Sequence, residues 1–327
     1  MTGVTARVPA KLNLQLAVGP PRADGYHDLV TVFHAVSLFD QVTVEPAEDG
    51  DDAVTVTGEG ADRVPADQDN LALRAIVALR AAVRDRDTGA GAVHVTIAKR
   101  IPVAAGLAGG SADAAAALVA CNELWAAGLT QQQLRGIGAT VGSDVAFALL
   151  GGTAVGRGRG EQLTPALAPA TQYHWVLAFA DGQLSTPAVY AALDRLRASQ
   201  GGSGSKRESQ GGARRAASPG HGQPDLDAAL MSALRSGEAA RVGQRLSNDL
   251  QAAAVSLFPA LRKTLAAGLE LGALGALVAG SGPTCVFLAA NAERALELAV
   301  SLSGAGVCRS VARVSGPVPG AAVVSAG

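Results

Sequence analysis

Charge of one sign is nowhere in surplus: 27 Lys and Arg stand against 28 Asp and Glu, a formal charge of −1. No basic block is dense enough to neutralise a phosphate backbone, so nucleic acid is not an expected partner. Cysteine is scarce as well. Cys121, Cys285 and Cys308 are odd in number, far apart and in no CxxC or Cys/His spacing, which excludes a disulfide framework or a thiolate metal site and fits a reduced cytoplasm. Cys121, in an Ala/Leu stretch, and Cys285, beside Val286 and Phe287, read as small buried hydrophobes. Unbroken apolar runs are missing too. The uncharged stretch from Leu271 to Ala292 is interrupted by Gly272, Gly275, Gly280, Gly282 and Pro283, so it reads as strand, Gly-rich loop, strand rather than a membrane span. Near the start, Lys11, Asn13 and Gln15 interrupt what a signal peptide needs as an apolar core, so none is expected. The expectation is a cytoplasmic protein with no membrane partner.

At 327 residues the chain is longer than one core usually organises, which predicts two domains with a ligand cleft between them. Strand patterns alternate with Ala-rich helical ones, but no regular βα repeat runs the full length, so the fold class is α+β rather than doubly wound. From Lys11 to Leu16 the alternation puts Leu12, Leu14 and Leu16 on one face and Lys11, Asn13 and Gln15 on the other. Val93, Val95 and Ile97 mark a second strand. Leu71, Ala75, Ala78, Leu79 and Ala82 recur at helical spacing after Asn70.

A long helix is predicted over 111–127, ending at Gly128, and a short one over 145–150, opened by Gly142-Ser143-Asp144. Gly151 to Gly160 is expected to cross between domains, giving units of residues 1–160 and 161–327. In the second, Trp175 to Ala180 reads as a strand and Thr186-Pro187 as a helix start. The order strand, strand, helix, strand over 276–279, 284–289, 292–302 and 307–314 is compatible with a ferredoxin-like unit. Between Ser199 and Gln223, twelve of 25 residues are Gly or Ser and none is a large hydrophobe, so this insertion reads as a disordered loop. Its Lys206, Arg207, Arg214 and Arg215 read as solvated charges. No heptad or repeat suggests assembly, and a monomer is expected.

The most informative segment is PVAAGLAGGSADAAAAL, Pro102 to Leu118, where a Gly-rich loop runs into a helix. Free N–H groups and the helix dipole there suit phosphate, although tight packing explains the same glycines, and no Gly-Lys-Ser/Thr follows as in a Walker A loop. In PAKLNLQL, Pro9 to Leu16, Lys11 and Asn13 share a strand face. In VGSDVAFAL, Val141 to Leu149, Asp144 is either an ordinary helix-start acid or a base kept ionised by dipole and lysine together. RADGYHDL presents Tyr26 and His27 side by side on a turn. AGSGPTCVF, Ala279 to Phe287, reads on its own as a tight turn between strands.

The order of these segments resembles the GHMP kinases, the superfamily of galacto-, homoserine, mevalonate and phosphomevalonate kinases, over nearly the whole chain outside 199–223. PAKLNL followed closely by RADGYH is similar to the branch acting on a diphosphocytidyl-methylerythritol in non-mevalonate isoprenoid synthesis. The resemblance implies a ribosomal-protein-S5-like first domain, a ferredoxin-like second domain, and transfer of a phosphoryl group from ATP, with Mg²⁺, to a 2-hydroxyl. It implies Lys11 and Asp144 as the catalytic pair. Pro102, Gly106, Leu107, Ala108, Gly109, Gly110, Ser111 and Ala112 are implied around the ATP phosphates, and Asn70 and Lys99 at its nucleoside. Asn13, Tyr26, His27 and Tyr190 are implied in the pocket for a small-molecule substrate bearing cytidine diphosphate. No protein ligands for the metal are implied. Ala108 and Ala112 stand where relatives often carry Gly and Ser. Another GHMP small-molecule kinase, or a non-catalytic nucleotide sensor on the same fold, is the alternative.

Overall fold

A computed structural model describes residues 3–47, 50–86, 88–167, 171–201 and 223–324. Its first sheet is built on a long antiparallel hairpin of β1 (Val4–Pro21) and β2 (His27–Pro46). The parallel pair β3 (Ala53–Gly58) and β4 (Val93–Lys99) joins the far half of β2. Against this sheet pack α1 (Leu71–Ala82) and α2 (Gly109–Leu124). Asn70 caps α1 by accepting from the Ala72 amide. In α2 every residue from Ala112 to Leu118 is buried, the mark of a central helix rather than an amphipathic one. It begins two residues earlier than its composition predicts, so Gly109 and Gly110 form its first turn.

Two further helices, α3 (Gln131–Val141) and α4 (Ser143–Leu150), follow. Residues 151–160 are not a crossing between domains. They form β5 (Thr153–Gly158), which pairs with the near half of β2 and turns back into β6 (Gln162–Pro165). The glycines mislead because their small side chains let aromatics close in: a Cβ on Gly156 would stand 2.7 Å from the Phe33 ring.

The second sheet begins at β7 (Tyr173–Phe179). From β7 the chain runs through α5 (Thr186–Gly201), α6 (Ala228–Ser236), α7 (Ala239–Gly243), β8 (Ser247–Asn248), α8 (Gln251–Leu257), α9 (Ala260–Glu270), β9 (Gly275–Val278), β10 (Cys285–Ala289), α10 (Ala292–Gly304) and β11 (Ser310–Gly316). The sheet's antiparallel order β11-β7-β10-β9 is that of a ferredoxin-like unit. One face packs Leu261, Leu265, Leu298 and Leu302 around Phe287, while Trp175, Leu177, Val286 and Leu288 on the other join the core of the first sheet. Cys121 and Cys285 are buried, and burial pushes both thiols up to about 12.

The chain does not divide cleanly at residue 160. Besides β6, the first sheet takes β8 in parallel on β1 and a last strand, β12 (Ala322–Val323), antiparallel on β1. Of the segment read as an inserted loop, Ser199 to Gly201 complete α5, and residues 202–222 lie outside the described residues. Among the described residues no helix is long and apolar enough to cross a membrane.

Candidate active site

A cavity of about 1050 Å³ opens between the two units, lined by β1, β2, the 104–108 loop, the first turn of α2, the start of α4 and one face of α5. A β-bulge in β1 between Asn13 and Gln15 selects which side chains reach it. Strict alternation would send Lys11, Asn13 and Gln15 the same way; the extra residue shifts the phase. Lys11, Asn13 and Leu16 line the cavity, whereas the Gln15 amide turns away to donate to the Asp225 carbonyl and accept from the Asp227 amide.

A short relay fixes Lys11. Its ammonium donates to Asn13 Oδ1 at 2.8 Å, Asn13 Nδ2 donates to Thr31 Oγ1 at 2.8 Å, and Thr31 donates to the Gln15 carbonyl at 2.7 Å. Lys11 Nζ then stands 3.6 Å from Asp144 Oδ2. Asp144 occupies the first turn of α4, where the dipole favours a carboxylate.

The Gly-rich loop lies beside this pair. Its backbone is tied to β1 by the Lys11 amide donating to the Leu107 carbonyl. At the start of α2, Ala108 takes a left-handed φ of 59° and offers no side-chain cap. Gly142 likewise leaves α4 uncapped, and α7, α8 and α9 are uncapped too, whereas Asn70, Thr130, Asp227 and Asn291 cap α1, α3, α6 and α10. The N-termini of α2 and α4 thus keep free N–H groups toward the cavity, and the Gly109, Gly110 and Ser111 backbone fits a polyphosphate. The second Gly-rich loop is more than a turn: Gly280 and Ser281 line the cavity.

At the other end Tyr26 is exposed, with the Arg159 guanidinium 5.7 Å from its ring centroid. His27 is buried, its ring 5.1 Å from that of Tyr190 and its Nε2 3.0 Å from Asp194 Oδ1. Burial first, then the Asp144 charge, push the Tyr190 phenol up to about 12, so it stays neutral.

The structure brings Lys11, Asn13, Tyr26, His27, Gly106, Ala108, Gly109, Gly110, Ser111, Asp144 and Tyr190 around one cavity. It does not bring the rest. Lys99 cannot reach a nucleoside with its side chain, because its ammonium is buried between Asp40 and Asp113 at 2.5 and 2.6 Å. The Asn70 side chain is spent on the α1 cap and on a bond to the Pro65 carbonyl at 2.7 Å. Leu107 and Ala112 point into the core, and Pro102 lines a separate small cleft with Arg63 and Arg309. Sequence reading missed Thr31, Arg74, Arg159 and Asp194, which also line the cavity; Thr31, Arg74 and Asp194 lie on β2, α1 and α5, and Arg159 lies on the turn after β5, in the glycine-rich stretch that reads as a linker.

Comparison with known proteins agrees with this architecture. Family models described as the GHMP kinases N terminal domain and the GHMP kinases C terminal match residues 70–152 and 230–308. The chain is 53% identical over 329 residues to the 4-diphosphocytidyl-2-C-methyl-D-erythritol kinase of Thermobifida fusca, covering 99% of each chain. It is also 53% identical over 324 residues to the enzyme of that name from Nocardia farcinica, covering 98% and 96%. A crystal structure of 4-(cytidine 5'-diphospho)-2C-methyl-D-erythritol kinase superposes with a TM-score of 0.69 at 33% identity, over 95% of this chain and 98% of that one. Homoserine kinase from Cytophaga hutchinsonii shares the fold, with a TM-score of 0.70 at 18% identity over 99% and 98%.

Proposed function

The chain belongs to the 4-diphosphocytidyl-2-C-methyl-D-erythritol kinases, a branch of the GHMP kinases, and from that premise we propose that it transfers the γ-phosphoryl group of ATP to the 2-hydroxyl of the methylerythritol moiety. The observation that carries the reading is the Lys11–Asp144 pair, 3.6 Å apart beside an uncapped helix N-terminus.

The α2 N-terminus holds the ATP phosphates through backbone N–H groups, with Arg74 as a nearby cation. Asp144 orients the acceptor hydroxyl and takes its proton as the O–P bond forms. In a loose transition state the orienting role is as important as proton removal. Lys11, 3.6 Å from Asp144, neutralises charge on the transferring group. At the far end Tyr26, His27 and Tyr190 enclose the cytosine, with Arg159 close to the substrate's phosphates. Among the described residues no group of three or more His, Cys, Asp or Glu is placed to hold a metal, so Mg²⁺ would arrive on the ATP phosphates, and no step is assigned to it.

An ADP-release assay comparing the diphosphocytidyl substrate with mevalonate, homoserine and galactose tests the reading. Turnover of the first alone is expected. Preference for any other alcohol would assign the chain to a different GHMP activity.

A further inference from the structure

We propose that Asp194 is a positioning residue that sets the tautomer of His27 and thereby makes the pocket select cytosine over uracil. The inference rests on the reading of this cavity as the cytidine site. Its basis is a contact between the two units: His27 opens β2, Asp194 lies on α5, and the imidazole Nε2 meets the carboxylate at 3.0 Å.

A carboxylate only accepts hydrogen bonds, so the nitrogen facing it carries the proton. In the neutral ring Nδ1 is then an acceptor. No described residue bonds Nδ1, and His27 lines the cavity. Cytosine presents an amino donor at position 4 where uracil presents a carbonyl acceptor. An Nδ1 acceptor pairs with the first and is left facing a lone pair in the second.

The arrangement is held firmly. Tyr190 lies four residues before Asp194 on the same helix face, and its ring covers the imidazole at 5.1 Å. The His27 side chain is 5% exposed, against 36% for Asp194. A surface ion pair needs no buried imidazole, and an anchor for α5 is already provided by Arg197, which donates to the Val18 and Gly19 carbonyls.

The test is Asp194→Asn, whose amide donates to Nε2 and releases the proton to Nδ1. Steady-state kinetics would be measured with the cytidine substrate and its uridine counterpart. The cytidine KM should rise about tenfold with kcat and the ATP KM little changed, and the preference for cytidine should fall about tenfold or more. Asp194→Glu should retain the preference, and long-range ¹H–¹⁵N NMR of the unmodified protein should show His27 protonated at Nε2. A folded Asn variant that keeps its preference, or that loses both substrates equally, would overturn the proposal. So would an Nδ1-protonated ring, or an unmodified enzyme indifferent to the base. Failure of the unmodified enzyme to turn over the cytidine substrate at all would instead overturn the functional reading, and this proposal with it.

Discussion

Lys11 is held by Asn13 at 2.8 Å and stands off from Asp144 at 3.6 Å, a geometry that keeps N–H groups free for a phosphoryl oxygen. Asp144→Asn preserves size and helix position but not the proton acceptor, so kcat should fall about a hundredfold or more with both KM values little changed. Lys11→Ala should lose a comparable amount. The double variant should be scarcely worse than either single one, because groups serving one step are non-additive; kcat losses that multiply across the cycle would show that the residues act separately. Gly106 is decisive for a different reason. Its φ is +78°, and a Cβ there would stand 2.0 Å from the Ala279 carbonyl oxygen. Gly106→Ala must therefore push the phosphate loop off the second unit, costing about 2 kcal/mol or more. Calorimetry should find ATP bound at least about tenfold more weakly.

Lys99, on β4, ties the first sheet to α2: its ammonium joins Asp40 on β2 to Asp113 on α2. Asp40 also accepts from the Arg100 and Ile101 amides at 2.5 and 2.8 Å. The cluster sits directly beneath the helix start, since a Cβ on Gly109 would lie 3.1 Å from Lys99 Nζ. A side chain at Gly109 would therefore disturb this buried charge as well as any ligand. Burial pulls the Lys99 pKa down, but Asp113 and Asp40 outweigh it and hold the ammonium above its usual range. Burial above all, opposed by Lys99 and reinforced by Asp40, pushes the Asp113 carboxyl up to about 8. Between the ordinary carboxylate value of about 4 and that point, the native state holds a proton that the unfolded chain has lost. Stability from this group should thus decline as pH rises from about 4 to about 8, and Asp113→Asn should flatten the decline. Thermal unfolding of both proteins across that range measures the difference; parallel pH curves would show that Asp113 is ionised throughout.

Across the whole molecule, the last described segment laces distant elements together. Gly152 donates to the Val318 carbonyl, Val318 to Ala35, Ala321 to Ala148 and Val324 to Thr5. Gly320 packs so closely on α4 that a Cβ would lie 2.3 Å from the Leu149 carbonyl. The segment covers the edge of β1 and braces the helix that carries Asp144. Ending the chain at Gly316 should lower Tm by about 5 °C or more, through several lost bonds and an exposed strand edge. It should also reduce kcat more than either KM. An unchanged Tm would show that the brace contributes nothing.

Local order in this protein was legible from the chain alone wherever one residue pattern dictates one conformation. The alternation in β4, the helical spacing of α1, the helical run of α2 and the strand-strand-helix-strand order of the second unit need only near neighbours in sequence. The juxtaposition of Lys11, Asp144 and the Gly-rich loop came instead from the family resemblance, because their motifs stand in a recognisable order. What lies 59 residues away escaped it. Nothing around Lys99 announces that Asp40 will neutralise it; a lysine at the end of a strand looks equally ready to meet a ligand. The glycines of β5 looked like a linker until the Phe33 ring they accommodate was in place. The bulge that turns Gln15 away, the closing strand β12, and the meeting of His27 with Asp194 were likewise decided by packing between distant segments. Burial changes what a charged or small residue can do, and burial is a property of the folded chain rather than of any segment of it.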